Sequence, residues 1–201
     1  MTFNFQNIMN NSQIIIVSGL PRSGTSLMMQ ILHSGGIPIL CDNEVLPDES
    51  NPRGYFEYSP VKNSFKDISW IPQAHGKAVK VITQLIPCIK TDVKIKIIFM
   101  ERELKEVIQS QHKMILQKNN KTSQSNLFDQ KLIDTYTAQI SKVEDWIQEK
   151  SQIEYIKIKY NQLINNPKYS IEQINTFLSI ELNMNKIIEV IDPNLYRNKL
   201  I

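Results

Sequence analysis

Four consecutive β-branched residues, Ile14-Ile15-Ile16-Val17, run into Ser18-Gly19. Such an unbroken run reads as a strand buried on both faces, the kind found in parallel sheets covered by helices. From Ser26 onward Leu27, Met28, Ile31 and Leu32 fall at helical spacing, and Gly35-Gly36 supplies the stop. The segment between them, Gly19-Leu20-Pro21-Arg22-Ser23-Gly24-Thr25-Ser26, joins a buried strand to a helix. Successive N–H groups there point inward and the helix N-terminus adds partial positive charge, which suits a phosphate. Gly24 allows close backbone approach, and Thr25 and Ser26 offer hydroxyls. The plain alternative is an ordinary strand-to-helix turn with a Ser or Thr cap.

The same alternation continues along the chain. Strands are expected over 78–82, 93–100 and 153–159, and helices over 103–118, 128–150, 160–165, 168–178 and 184–190. Residues 1–12 are polar and Asn-rich and read as a frayed lead-in. Residues 41–60, broken by Pro47, Pro52, Gly54 and Pro60, read as a long functional loop. Strands alternating with helices predict an α/β fold with a mostly parallel sheet in a single domain over 1–201. Ligands in such sheets sit beyond the carboxyl ends of the strands, which focuses attention on Ser18–Ser26, Arg102 and Tyr160.

Composition excludes several classes. The 201 residues carry 23 Lys and Arg against 20 Asp and Glu, a net charge of +3, too balanced for a bulk nucleic-acid binder. No apolar run has the length of a membrane span, and the start of the chain has no signal-peptide pattern. Cys41 and Cys88 lack metal-site spacing, so no metal is expected and a reduced cytoplasmic setting is the default.

The loop is close to G-x-x-x-x-G-K-[ST], but Thr25 stands where a nucleotide triphosphatase has its lysine, and Arg22 supplies the cation instead. Gly-Leu-Pro-Arg-Ser-Gly-Thr-Ser-Leu resembles the 5′-phosphosulfate loop of sulfotransferases that use 3′-phosphoadenosine 5′-phosphosulfate (PAPS). A second block, Ile-Ile-Phe-Met-Glu-Arg-Glu-Leu-Lys-Glu-Val-Ile-Gln-Ser over 97–110, is similar to that family's 3′-phosphate block, with Arg102 after a strand and Ser110 on the next helix. Tyr160-Asn161-Gln162-Leu163 is similar to the family's Tyr-Glu-x-Leu segment, with Asn161 in place of the acidic residue. Asn51-Pro52-Arg53-Gly54-Tyr55-Phe56-Glu57 resembles a stretch of bacterial members.

The resemblance implies a P-loop NTPase-like parallel sheet of sulfotransferase type. It implies a sulfuryl transfer from PAPS to a hydroxyl or amine, leaving 3′-phosphoadenosine 5′-phosphate (PAP). Arg22, Ser23, Gly24, Thr25 and Ser26 would hold the 5′-phosphosulfate, Arg102 and Ser110 the 3′-phosphate, and Tyr160 would lie near the adenine. Arg22 would also act on the leaving phosphate, and Lys80 would help hold the sulfuryl oxygens or the acceptor. Ile82 stands where cytosolic members carry a catalytic His. Tyrosylprotein-type members use a Glu beyond the first helix; Glu44 is its counterpart, Asp42 the next choice, and His33, His75 and His112 remain ordinary surface candidates. The acceptor, a small molecule, sugar or peptide, would meet loop 41–60. The polar stretch 118–126 is a candidate lid over the nucleotide. The rival readings are a P-loop kinase of a small metabolite and a non-catalytic nucleotide-binding relative. The oligomeric state is unread.

Overall fold

The computed structural model describes residues 13–42, 44, 46–48, 51–119, 130–193 and 196. The expectation for 1–12 and most of the lid expectation for 118–126 lie outside these residues.

Five strands, β1 (Ile14–Gly19), β2 (Ile39–Leu40), β3 (Ala78–Lys80), β4 (Ile95–Glu101) and β5 (Ile153–Lys159), form one sheet in the order β2-β3-β1-β4-β5. All pairs are parallel, so every strand ends on the same edge. This is the α/β arrangement expected from the sequence.

The β-branched run of β1 lies in the middle of the sheet because both of its faces are covered. Ile15 and Val17 pack with Met28, Ile98, Leu163 and Ile171 on one side. Ile14 and Ile16 pack with Trp70, Val79, Ile97 and Ile147 on the other. All four β1 side chains are completely buried, and each contributes roughly 1.5–3 kcal/mol by leaving water. Helices α1 (Thr25–Ser34), α4 (Tyr160–Asn165), α5 (Pro167–Leu178) and α6 (Met184–Val190) cover the first face. Helix α3 (Gln130–Gln148) and short 3-10 helices at Ile71–Ala74 and Thr83–Cys88 cover the second. Helix α2 (Leu104–Asn119) follows β4.

Differences from the sequence expectation are at the ends of elements and in short elements that were not expected, β2 and the 3-10 helices. β3 stops at Lys80, although Val81 still donates its N–H to the Val17 carbonyl at 3.0 Å. β4 begins at Ile95 because residues 92–93 bend before it. β2 is two residues long, too short to show any alternation. Residues 41–58 are irregular where described, and a 3-10 helix at Ser59–Asn63 ends the loop. The Asp42 N–H donates to the Glu57 carbonyl at 3.1 Å and closes that loop on itself. Among the described residues no helix is long and apolar enough to cross a membrane.

Candidate active site

The register of the sheet brings the strand ends together. Gly19 pairs with Met100, and Glu101 with Lys159, so the β1 loop, Arg102 and Tyr160 meet at one edge. Gly24 has φ +104°, and a Cβ there would come within 2.4 Å of the Tyr160 ring. Gly19 has φ +150°, and a Cβ there would meet the Ser23 hydroxyl at 2.4 Å and the Met100 carbonyl at 2.7 Å. Both positions thus need glycine for conformation and for space. Arg22 itself adopts φ +78°, a conformation other residues usually avoid.

The end of α1 is left open toward the loop. Gly24 is its N-cap, no side chain caps it, and its first turn holds no acidic residue. Its leading N–H groups and partial positive charge are therefore available to an anion. Ser23 beside them is 1% exposed, and its hydroxyl has no hydrogen-bond partner among the described residues. A buried hydroxyl in a glycine-shaped cradle beside an uncapped helix end fits a phosphate group.

Two cations and a serine continue the site. Arg22 Nε donates to Ser110 Oγ at 3.0 Å. Arg102 Nη1 donates to the Arg22 carbonyl at 3.1 Å, and its Nε donates to Glu106 Oε2 at 2.9 Å. Gln111 Nε2 donates to the Pro21 carbonyl at 2.8 Å, and its own Oε1 accepts from Tyr136. Side chains from the turn after β4 and from α2 therefore fix two consecutive carbonyls of the loop. Burial, with the like charge of Arg102 adding to it, lowers the Arg22 pKa. The Arg102 guanidinium lies 4.6 Å from the centre of the Tyr160 ring.

The opposite side of the site comes from loop 41–60 and β3. Lys80 is nearly buried, and its Nζ donates to the Tyr55 carbonyl at 2.8 Å and lies 3.5 Å from Glu57 Oε1. Burial lowers the Lys80 pKa, and Glu57 acts against that fall. Ser26 Oγ accepts from Asn51 Nδ2 at 3.1 Å, which ties α1 to the loop. Arg53 donates to the Val190 carbonyl and lies 3.7 Å from Asp192.

One cavity of about 530 Å³ joins both sides, a volume typical of small-molecule sites. Lys80 and every cofactor candidate except Ser23 line it. Glu44 does not: it is exposed and accepts from the Ser59 hydroxyl. Asp42 is likewise occupied by the loop. Burial alone would raise its carboxyl, but the N–H groups of Ser59 and Glu44 outweigh that and hold it below the ordinary range. His33, His75 and His112 are also absent from the wall. The cavity-lining carboxylate paired with Lys80 is Glu57, which the sequence marked only as the last residue of the Asn51–Glu57 stretch. Glu106, Gln111 and Tyr196 were not singled out. Glu106 stands four residues after Arg102, a spacing that signals a helix-surface pair. Tyr196 has no local signal at all. Among the described residues no cluster of His, Cys, Asp or Glu could hold a metal ion.

Solved structures with the same fold include the sulfotransferase domain from the Synechococcus PCC 7002 olefin synthase, 11% identical with a TM-score of 0.51 and covering 100% of this chain and 93% of that one. The sulfotransferase domain from the curacin biosynthetic pathway is 14% identical with a TM-score of 0.51, covering 90% and 78%. Mouse sulfotransferase SULT7A1, complexed with PAP, is 15% identical with a TM-score of 0.51, covering 93% and 64%. No curated protein matches the chain. The family model described as "Sulfotransferase domain" matches residues 12–199. Strand, loop and helix around a phosphate-sized cradle occur in many folds, and a match over nearly the whole length is what decides among them: this chain belongs to the sulfotransferase family and is a transferase enzyme.

Proposed function

We propose that the enzyme transfers a sulfuryl group from PAPS to a hydroxyl or amine of a small molecule, sugar or peptide. The observation that supports this reading is one cavity in which an uncapped helix end and the Arg102–Ser110 region are joined by one hydrogen bond. The uncapped α1 end with its glycine cradle suits a 5′-phosphate, Arg102 with Ser110 suits a 3′-phosphate, and Arg22 bridges them through its bond to Ser110. A nucleotide phosphorylated at both positions matches that spacing of charge. The mouse relative is complexed with such a nucleotide.

Each residue then has a task. The 19–26 loop holds the 5′-phosphate with backbone N–H groups and the hydroxyls of Ser23, Thr25 and Ser26. Tyr160, packed on Gly24, would flank the base. Bound PAPS supplies a sulfuryl group already joined to a phosphate leaving group. Arg22 offsets the negative charge that grows on the leaving oxygen, and Lys80 holds the sulfuryl oxygens. Glu57, in place of the expected Glu44, takes the acceptor proton as the new S–O or S–N bond forms and the bond to phosphate breaks. A sulfuryl group carries less charge than a terminal phosphoryl group, so the loop and Arg22 suffice without a metal. A cytoplasmic setting accords with the two free cysteines, Cys41 and Cys88.

Thermal shift with PAP, AMP and ATP, followed by acceptor screening with labelled PAPS in the presence of a chelator, tests this. PAP alone should raise the melting temperature strongly, and transfer should survive chelation. Preference for ATP, or activity restored only by Mg²⁺, would replace this reading with the kinase alternative.

A further inference from the structure

We propose that Tyr196 is a positioning residue of the cofactor site, shielding the Glu106 carboxylate so that Arg102 serves a 3′-phosphate. This rests on the reading above that Arg102 and Ser110 receive that phosphate.

Arg102 and Glu106 form a nearly buried ion pair, with side chains 8% and 6% exposed. A buried carboxylate beside a phosphate site is a problem: it competes for the same guanidinium and repels the incoming anion. Tyr196, from the segment after α6, answers that problem directly. Its hydroxyl lies 2.8 and 2.9 Å from the two Glu106 oxygens and donates to that carboxylate. Its ring lies 5.2 Å from the Arg102 guanidinium and 5.1 Å edge-on from the ring of Tyr160, which itself lies 4.6 Å from the guanidinium. The three groups make a closed triangle that fixes the plane of the guanidinium. With its charge drawn toward a phenol, the carboxylate orients Arg102 but draws on it less strongly. Burial and the bond to Glu106 push the Tyr196 pKa up to about 12, so the phenol remains a donor at working pH.

The same segment is held at a second point. Arg53 of loop 41–60 grips Val190 and Asp192, and both Arg53 and Asp192 line the cavity. Val190 and Asp192 thus meet the loop side of the cavity, while Tyr196 meets the Arg102 cluster.

The test compares PAP and AMP affinity in the full chain by calorimetry. Tyr196→Phe removes one oxygen and keeps the ring. It should weaken PAP about tenfold, the low end of one hydrogen bond to a charged group, while AMP affinity stays within about twofold. In a Glu106→Gln background, where no charge needs shielding, the same substitution should change PAP affinity less than about twofold. The ratio of the two affinities is insensitive to a partly unfolded sample. Equal losses for both nucleotides, no loss for either, or an undiminished loss in the Glu106→Gln background would each overturn the role of Tyr196. Wild-type protein that binds PAP no better than AMP would instead overturn the 3′-phosphate reading itself.

Discussion

The two sides of the cavity are made from different material. On the proposed phosphate side Arg22, Gly24, Arg102, Ser110 and Tyr160 are carried by β1, β4, β5 or the turn or helix that follows each. On the proposed acceptor side Asn51, Arg53, Tyr55 and Glu57 come from a segment whose only regular feature among the described residues is the Asp48–Asn51 bridge. The first side is held by sheet register and by glycines with no room for a Cβ. The second is held by side chains reaching to backbone, such as Lys80 to Tyr55 and Asn51 to Gly54. Under the proposed function a constant cofactor would suit the rigid frame, and an acceptor surface on a loop could alter without disturbing the sheet.

The sharpest break of that comparison is on the loop. Glu57→Gln should reduce turnover by roughly 10²–10⁴, the usual value of a general base, with cofactor affinity little changed. Glu44→Gln should leave turnover near normal. The reverse ranking in a steady-state assay would move the base back to Glu44.

Arg22→Ala should lower kcat by about 10²–10³ and weaken cofactor binding far less, because the charge it offsets grows toward the transition state. A near-normal rate at saturating cofactor would leave the phosphate side with a binding role only.

Arg102→Ala should weaken PAP by roughly ten- to a hundredfold, as expected for charged hydrogen bonds, and leave AMP binding close to wild type. Calorimetry with both nucleotides reads this directly, and equal losses would remove Arg102 from the 3′-phosphate.

The smallest effect is in pH. Burial lowers the Lys80 pKa, so its positive charge is lost at a lower pH than that of an exposed lysine. Turnover should therefore start to fall earlier on the alkaline side. Lys80→Arg, charged throughout, should move that alkaline limb upward even if the maximum rate drops. A limb that does not move would assign it to another group.

Legibility in the sequence followed the same division. Ile14–Gly35 is local: a buried strand, a glycine-bearing turn and a helix in direct succession, so the cradle could be located from residue types alone. That Arg102 and Ser110 reach the same cavity was legible because one strand end and two turns of one helix carry them. Glu57 was not, because an irregular segment has no period to say which carboxylate turns inward. The Asp42–Glu57 backbone bond and the engagement of Glu44 by Ser59 decide it. Tyr196 was not legible either, since it meets Glu106 across 90 residues of chain.

By itself the sequence determined the parallel α/β sheet, the glycine-shaped turn after β1 and the cations after β1 and β4, because short-range periodicity and glycine geometry dictate them. Only the tertiary structure decided which acid faces Lys80 and which phenol holds Glu106. Those contacts join residues far apart in the chain, and no local preference encodes them.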